Sequence, residues 1–315
     1  MDIIHTPVLP EETLALLSPR RGDQWLVDAT LGEGGHSEAF LSRFQALRIT
    51  GVDADPEIMA TAKERLGDFG DRIEFYSGWS HDFFAECAQK GRQPDLILMD
   101  LGVSLFHYEK GGRGFSFRKD ETLDMRVDVS RGQGAAELLA KIGEKELADL
   151  LYFNADERYS RRIARAIVEA RSRSALTSSA VLAEIVERAV PGVYRHGAVH
   201  PATRTFQALR IEVNGELSRL EALLEAALGC LQPGGRMGVI SFHSAEDRIV
   251  KNFFRERSRD FPSSPDSPIG KGGGRLVDIL VRKGIVPTED EIRRNPASRS
   301  ARLRGVEKVL EKEGL

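Results

Sequence analysis

Short apolar segments alternate with amphipathic ones through the first hundred residues of the chain. Three apolar runs have the length of strands, namely Gln24–Thr30, Arg48–Asp53 and Pro94–Asp100. Three stretches with helical periodicity lie between or after them, namely His36–Ala46, Pro56–Leu66 and Ser80–Gln89. This β-α alternation predicts an α/β fold with a Rossmann-like parallel sheet, in which ligands bind at the carboxyl ends of the strands.

A second region is helical throughout. Its apolar positions recur at helical spacing in four stretches, namely Ala135–Tyr152, Asp156–Arg173, Ser178–Val190 and Pro201–Leu228. Strand patterns return at Arg236–Phe242, Arg275–Val281 and Leu303–Leu310, and Ser244–Arg257 between them has a helical pattern. We therefore predict an all-helical domain at 108–228, inserted into a discontinuous α/β domain at 1–107 and 229–315.

The composition is typical of a globular protein. Of the 315 residues, 41% are hydrophobic and 30% are charged, and no apolar run approaches the ~18 residues that cross a bilayer. The first residues lack the basic and apolar regions of a signal peptide. Two cysteines, Cys87 and Cys230, are too few for a disulfide framework or a cysteine zinc site. We expect a cytoplasmic protein with no membrane partner and no metal.

Charge is unevenly distributed along the chain, although the net charge is only −3. Residues 1–154 hold 17 basic and 27 acidic side chains. Residues 155–215 hold 10 basic and 6 acidic side chains, and residues 236–315 hold 17 and 12. Solvated helix faces and contact with nucleic acid both account for such an asymmetry, so charge alone does not decide between them.

A glycine-rich turn follows the first predicted strand. Its glycines are Gly32, Gly34 and Gly35, within the segment Asp28–Ser37 (DATLGEGGHS). Glycines let the backbone approach a ligand, and Asp53 ends the next strand, where a carboxylate accepts ribose hydroxyls. The pattern indicates an adenosine cofactor, either a dinucleotide or S-adenosylmethionine. S-adenosylmethionine is favoured because the third glycine of the dinucleotide motif is absent and because Asp28 and Glu33 suit a sulfonium better than a pyrophosphate.

Seven motifs together resemble those of the bacterial RsmH (MraW) family. They are Asp28–Ser37, Asp100–Ser104 (DLGVS), Arg113–Phe117 (RGFSF), Leu123–Arg126 (LDMR), His200–Val213 (HPATRTFQALRIEV), Ser241–Arg248 (SFHSAEDR) and the segment from Asn295 to Arg304. The resemblance implies a class I S-adenosylmethionine-dependent methyltransferase with an inserted helical domain. It also implies methylation of cytosine N4 in 16S ribosomal RNA, at the decoding region near the P site, with an assembled small subunit as the substrate.

The resemblance implies a set of cofactor contacts in addition to Gly32. They are Gly34, Gly35, His36, Asp53, Ser80, Asp100 and His107. The family usually reads D-L-G-V-S-S-x-Q, whereas this chain has Leu105 for the second serine and His107 for the glutamine. Since imidazole and amide groups both form hydrogen bonds, we expect cofactor binding to persist with altered detail.

Methyl transfer to an amine requires an in-line approach of the reacting atoms more than it requires acid–base chemistry. An acceptor for an N4 hydrogen would localise the nitrogen lone pair. We expect Asp100 to orient or accept from N4–H, with Ser104 in support. The alternative is that Asp100 holds only the ammonium group of the cofactor.

Substrate contacts are expected mainly in the helical domain. The candidates are Arg113, Phe115, Phe117, Asp124, Arg126, Arg204, Gln207 and His243. Extracted bases stack on aromatic rings, which makes Phe115 or Phe117 the candidate platform for the cytosine. The helix that begins at Thr203 has one apolar stripe, formed by Phe206, Leu209, Val213, Leu217 and Leu220, with Arg204 and Gln207 on the other side. Arg161, Arg162 and Arg165 suit phosphates as well as solvent.

His243 lies at the carboxyl end of a predicted strand, where a place in the pocket and a packing role are both open. Ser244–Asp247 is close to a capping box with Asp in place of Glu, which predicts Ser244 as the helix N-cap. Two other functions are open as well: an amino-methyltransferase acting on DNA or another RNA, and a non-catalytic ribosome assembly factor. The sequence does not decide whether the chain forms a homodimer.

Overall fold

A mixed sheet organises the larger part of the chain. The computed structural model describes residues 6–20, 24–102, 112–130, 132–197, 199–261 and 274–309. The chain divides into a sheet unit, formed by Met1–Gly102 with Arg219–Leu315, and a helical unit, formed by Val103–Ser218. The division falls five residues before the first boundary placed from sequence, at 107, and ten residues before the second, at 228. None of the helices among the described residues is long and apolar enough to cross a membrane.

Seven strands form the sheet. They are β1 (Trp25–Asp28), β2 (Arg48–Asp53), β3 (Ile73–Ser77), β4 (Leu96–Asp100), β5 (Arg236–Ser241), β6 (Val277–Ile279) and β7 (Arg302–Lys308). Their order is β3-β2-β1-β4-β5-β7-β6. The strands β1 to β5 are parallel, and β7 runs antiparallel between β5 and β6. The predicted parallel α/β sheet is confirmed, with an antiparallel strand near one edge.

Helices cover both faces of this sheet. The sheet unit contains α1 (Pro10–Leu16), α2 (Gly35–Arg43), α3 (Pro56–Leu66) and α4 (Ser80–Gln89). Successive strand residues point to opposite faces. Val27 and Ile97 join the core that includes residues of α4, and Leu26 and Leu98 join the core that includes residues of α2 and α3.

The described part of the helical unit is built from helices joined by loops. They are α5 (Ala135–Lys141), α6 (Glu144–Ala155), α7 (Ser160–Arg171), α8 (Ser179–Ala189), α9 (Gly192–Arg195) and α10 (Ala202–Asn214). Their core is separate from those of the sheet and is built from buried residues such as Leu147, Ile163 and Leu182. Three further helices follow, namely α11 (Glu216–Cys230), α12 (Ser244–Arg257) and α13 (Glu289–Arg294).

Two predicted helices are each two helices in the structure. The stretch Ala135–Tyr152 breaks before α6, whose N-cap is Gly143. The stretch Pro201–Leu228 breaks at Gly215, which has a left-handed φ of 59°. The predicted apolar stripe is therefore divided, with Leu209 in the core of the helical unit and Leu220 in a core of the sheet. The strand β3 was not among the strands predicted from sequence.

Candidate cofactor site and substrate-facing residues

Three acidic residues end neighbouring strands of the sheet. Asp28 ends β1, Asp53 ends β2 and Asp100 ends β4, and these strands are adjacent and parallel. The strand order reverses between β1 and β4, which is where open α/β sheets bind their ligands. The carboxylates are therefore placed where the sequence predicts the cofactor.

The turn after β1 has the backbone geometry that a close ligand contact requires. Gly32 and Gly34 have φ values of 53° and 83°, a region that other residues rarely adopt. A Cβ at Gly34 would lie 2.8 Å from a side-chain carbon of Leu66, whereas a Cβ at Gly32 would meet no atom within 4 Å. Gly34 is thus required by both conformation and packing. Gly35 begins α2 immediately after it.

The Asp53 carboxylate is held in place by backbone donors. One oxygen accepts from the amide N–H of Gly32 at 2.9 Å, and the other accepts from the N–H of Asp55 at 2.9 Å. Asp55 in turn is the N-cap of α3 and accepts from the amide of Glu57. Each carboxylate oxygen has a second lone pair, so Asp53 can still accept from vicinal hydroxyl groups such as those of a ribose.

His36 and Asp100 form a buried pair close to the turn after β1. The Nε2 atom of His36 lies 3.6 Å from Oδ2 of Asp100, and both side chains are largely buried. Among the described residues, Nε2 of His36 and Oδ1 of Asp100 have no hydrogen-bond partner. The backbone of Asp100 is fixed because its N–H donates to Oγ1 of Thr30 at 2.6 Å. Buried polar atoms are normally paired, so this pair fits a ligand with a charged or donor group.

Asp28 is a fully buried carboxyl group beside this pair. Its Oδ2 accepts from the hydroxyl of Ser37 at 2.7 Å, and its Oδ1 accepts from the N–H of Thr30 at 3.4 Å. Burial raises the pKa of Asp28 to about 6, against the opposing effects of His36 and of these two hydrogen bonds. The charge of Asp100 raises it further. The site therefore disfavours several negative charges and would be stabilised by a cation.

Ser80 and its neighbour Trp79 lie after β3. The hydroxyl of Ser80 donates to the backbone carbonyl of Ala29, which links the start of α4 to the turn after β1. Trp79 is the N-cap of α4 and is partly exposed, and the guanidinium of Arg219 lies 5.2 Å from its ring. Sequence reasoning selected Ser80 and passed over Trp79. Trp79 lies two residues after the end of β3, and its side chain is of the kind on which bases stack.

Two predicted site residues lie outside the described residues. They are Ser104 and His107, together with the departure at Leu105.

The loop residues predicted to contact substrate are largely engaged within the helical unit. Arg113 donates to the backbone carbonyls of Arg126 and Val127, at 3.1 and 2.8 Å. Arg126 forms a bidentate pair with Asp124, at 2.8 and 2.7 Å. The hydrogen bonds from Arg126 hold the pKa of Asp124 below its ordinary value. These three residues hold the loop together by their own contacts.

The two aromatic candidates differ in exposure. Phe115 is buried, with 3% of its surface exposed. Phe117 is partly exposed and stacks on His200, with ring centroids 4.5 Å apart, and it meets Phe206 edge to face at 5.0 Å. Of the two rings, Phe117 is the one with surface available to a base.

Arg204 and Gln207 lie on α10 as predicted, and both are partly exposed. The guanidinium of Arg204 donates to the backbone carbonyl of Asp156 at 2.8 Å. Asp156 is the left-handed C-cap of α6, so this bond closes the end of that helix. Among the described residues, the side chain of Gln207 forms no hydrogen bond.

The N-cap of α12 is His243, one residue before the predicted Ser244. The Nδ1 atom of His243 accepts from the amide of Glu246 at 3.4 Å, and Glu246 accepts from the amide of Phe242 at 2.9 Å. Asp247, which was predicted to complete the box, instead pairs with Arg304 at 2.7 and 3.0 Å. The capping prediction was wrong by one residue because a histidine nitrogen can accept as a hydroxyl does.

The chain is similar along its whole length to a family of methylases. The model of the MraW methylase family matches residues 2–309. A ribosomal RNA small subunit methyltransferase H from Treponema denticola is 52% identical over 310 residues, which is 98% of each chain. One from Synechococcus elongatus is 44% identical over 306 residues, 97% of this chain and 95% of that one. The solved structure of a SAM-dependent O-methyltransferase from Thermotoga maritima aligns at 10% identity with a TM-score of 0.41, over 99% of this chain and 69% of that one.

Proposed function

Because the chain belongs to the MraW methylase family, we propose that it transfers the methyl group of S-adenosylmethionine to the N4 amine of a cytidine in 16S ribosomal RNA. The enzyme is a class I S-adenosylmethionine-dependent methyltransferase with a seven-stranded sheet. Its substrate is ribosomal RNA of the small subunit, as the names of its relatives state for them. The cytidine and its N4 atom are the finer part of the proposal and come from the motif resemblance.

The observation that best supports this proposal is the buried contact between His36 and Asp100, the residue that ends β4. Among the described residues, Nε2 of His36 and Oδ1 of Asp100 have no hydrogen-bond partner. A ligand that carries an ammonium group would give the Asp100 oxygen the donor it lacks. A dinucleotide would instead bring a pyrophosphate close to three carboxyl groups, which is unfavourable.

The residues around this pair fit S-adenosylmethionine, which supplies a methyl group on a cationic sulfur when bound. Asp53 would hold the ribose hydroxyls, and the open space beside Gly32 leaves room for the cofactor to approach. Asp28 and Asp100 would balance its positive charge. Trp79 offers an aromatic face beside the adenine position.

On the acceptor side, Asp100 is proposed to orient the N4 amine and to accept one of its hydrogens, with Ser104 in support. This contact would localise the nitrogen lone pair and stabilise the positive charge that develops on N4. The alternative role of Asp100 is to bind the cofactor ammonium alone. Phe117 is proposed as the platform for the cytosine because its ring is partly exposed and that of Phe115 is buried.

The proposal also covers the target region, the substrate particle and the cellular compartment. We infer that the target lies in the decoding region near the P site, that the assembled small subunit is the substrate, and that the enzyme works in the cytoplasm. Arg204, Gln207 and His243 are proposed to lie near the RNA. We also propose that the chain forms a homodimer.

Nucleoside mass spectrometry of ribosomal RNA from a deletion strain tests the reaction. We expect N4-methylcytidine to disappear from 16S ribosomal RNA and to return when the gene is restored. Unchanged N4-methylcytidine in the deletion strain would refute the proposal, and loss of a different methylated base would show an amino-methyltransferase with another target.

The variant Asp100→Asn separates the two roles of that residue. If Asp100 acts on N4, the variant binds S-adenosylmethionine with near-normal affinity but loses methyl transfer by orders of magnitude. If it only holds the ammonium, cofactor affinity falls and turnover at saturating cofactor is retained. Calorimetric titration of the cofactor and single-turnover methyl transfer give the two quantities.

A further inference from the structure

Two adjacent aromatic side chains are exposed at the end of α6. Tyr152 and Phe153 have 53% and 65% of their surface exposed. Their rings meet edge to face, with centroids 5.3 Å apart. Large aromatic residues are usually buried, and adjacent exposed ones often mark an interaction site.

The orientation of α6 explains this exposure. The buried residues of the helix are Leu147, Ala148 and Leu151, which pack into the core of the helical unit. At about 100° per residue, Phe153 points almost directly away from this buried side, and Tyr152 lies beside it. Neither ring is needed to complete the core, so packing does not account for their presence.

Unpaired arginines follow the two aromatic residues. Arg158 lies in the turn after α6, and Arg161 and Arg162 lie in the first turn of α7, and all three are exposed. Among the described residues, their guanidinium groups form no hydrogen bond or ion pair. Arg165, one helical turn further on, is paired with Glu144 at 3.6 Å. Three cationic side chains without a partner among the described residues therefore follow the aromatic pair closely along the chain.

Acidic residues in this turn do not cancel that charge. Between Tyr152 and Arg165 the acids are Asp156 and Glu157. The carboxylate of Glu157 is fully buried, and it accepts from the amide of Tyr159 at 2.8 Å and from the hydroxyl of Tyr194 at 2.9 Å. The exposed charge of the turn is thus predominantly positive.

The turn is also fixed in its conformation. The amide of Asp156 donates to the carbonyl of Tyr152 at 2.9 Å, and that of Glu157 donates to the carbonyl of Leu151 at 3.3 Å. The side chain of Asn154 donates to the carbonyl of Ala208 on α10. A surface held in this way loses little conformational entropy when it binds a partner.

We propose that Tyr152, Phe153, Arg158, Arg161 and Arg162 form an RNA-docking surface that binds unpaired nucleotides of the ribosomal RNA substrate. Bases stack on the aromatic rings, and the arginines contact the neighbouring phosphates. The inference rests on the proposed function because that function makes RNA the partner. The surface contributes to substrate affinity and not to the methyl-transfer step.

The variants Phe153→Ser and Arg161→Glu test the surface in the full-length enzyme. The probe is fluorescently labelled, deproteinised 16S ribosomal RNA, followed by anisotropy with S-adenosylmethionine present. We expect each variant to raise Kd by about tenfold, as the loss of one stacked base or one phosphate contact does. In methyl-transfer assays on assembled small subunits, KM for the subunit should rise by a similar factor with kcat unchanged.

Two control variants on the same unit match these changes. Val193→Ser removes an apolar side chain that is 91% exposed, and Arg188→Glu reverses an exposed charge that pairs with Glu184 on the same helix. We expect both to bind RNA as the parent protein does. Since all four positions are exposed, thermal melting should show no loss of folding in any variant.

The outcomes separate this surface from the proposed function. RNA affinities of Phe153→Ser and Arg161→Glu equal to those of the controls overturn the surface, whether or not the parent enzyme methylates cytidine. Weakened binding to assembled subunits with unchanged binding to deproteinised RNA also overturns it, because the partner is then a ribosomal protein. If the parent enzyme binds RNA through this surface but leaves cytidine N4 unmethylated in assembled subunits, the proposed reaction fails and the surface stands.

Discussion

Asp28 is a carboxyl group that the fold buries completely at the end of a strand. Its neighbours offer one hydroxyl and one amide as donors, and the nearby Asp100 opposes a second negative charge. Removal of solvent outweighs these donors, and the pKa rises to about 6. The residue is thus poised between neutral and ionised forms close to neutral pH.

This shift predicts how stability depends on pH. The folded protein keeps the Asp28 proton up to about pH 6, whereas the unfolded chain releases it near 3.8. Between these values the folded state binds more protons, so the free energy of unfolding falls as pH rises. We expect the free energy of unfolding of the parent protein, relative to that of Asp28→Asn, to fall by up to about 3 kcal/mol between about pH 4 and pH 7.

Urea unfolding of both proteins across this pH range provides the measurement. Ser37→Ala removes a hydroxyl donor to the Asp28 carboxylate, so the pKa of Asp28 in the folded state should rise. The pH range over which stability falls should then extend further at its upper end. Parallel pH profiles for the parent protein and Asp28→Asn would show that Asp28 keeps an ordinary pKa in the folded state.

Arg126 and Asp124 illustrate a residue pair whose contacts are internal. The bidentate geometry and the lowered pKa of Asp124 indicate a structural pair in the loop before α5. Arg126→Ala should lower the free energy of unfolding by about 1–3 kcal/mol, because it removes two guanidinium donors from a partly buried carboxylate that then keeps the backbone N–H of residue 126. Chemical denaturation measures this change.

Arg126→Lys serves as the matched control, since it keeps the charge but cannot form both bonds. We expect it to be intermediate in stability and to keep the parent KM for RNA. A raised KM without any loss of stability would instead make Arg126 a substrate contact.

The residue types of the cofactor site were predictable from sequence, but their partners were not. Glycines and acids at strand ends identified the turn at Gly32 and the carboxylates at Asp53 and Asp100. That Arg113 donates to backbone carbonyls, or that Phe115 is buried, depends on residues distant in sequence. A single sequence gives no direct sign of such tertiary contacts.

At the level of elements, glycines decide where helices end. Periodicity correctly predicted helical stretches, but it does not register a left-handed residue such as Gly215, which divides α10 from α11. The short strand β3 was missed because its buried and exposed residues barely alternate. Element type was therefore easier to predict than element boundaries.

Gly114 and Gly112 allow a test of backbone constraint in the loop before α5. Both have positive φ, at 74° and 60°. A Cβ at Gly114 would lie 2.5 Å from the carbonyl oxygen of Thr122, whereas one at Gly112 would meet no atom within 4 Å. Gly112→Ala should cost about 1 kcal/mol of stability, and Gly114→Ala about 3 kcal/mol, because only the latter adds a steric clash.

Thermal and urea unfolding of the two variants give these costs. Equal destabilisation would mean that the loop moves away from Gly114 at little cost. In that case the contact with Thr122 would not constrain the loop.

For the whole molecule, the distribution of charge is more informative than its sum. The acids are concentrated in residues 1–154, which contain the strands that end at the site, and the arginines are in excess in residues 155–215. The acidic part of the chain favours a cationic cofactor, and the arginine-rich part favours a polyanionic substrate. A net charge of −3 conceals both properties.

Salt should therefore affect the two ligands differently. With three unpaired arginines at the proposed surface, we expect the logarithm of the RNA association constant to fall against log salt with a slope of about −2. Cofactor affinity should change little, because the His36 and Asp100 pair is buried. Anisotropy and calorimetry over a potassium chloride series measure the two dependences, and a flat RNA profile would exclude phosphate contacts.

The position of β5 in the sheet has a consequence for synthesis on the ribosome. The strand β4 pairs with β5, and all of residues 103–218 are translated between them. A nascent chain that has completed β1 to β4 thus exposes an unpaired strand edge while the helical unit emerges. Such edges recruit other strands, so we expect the chain to be prone to aggregation in this interval. Termination between Asp100 and Arg236 would leave the same unpaired edge permanently exposed.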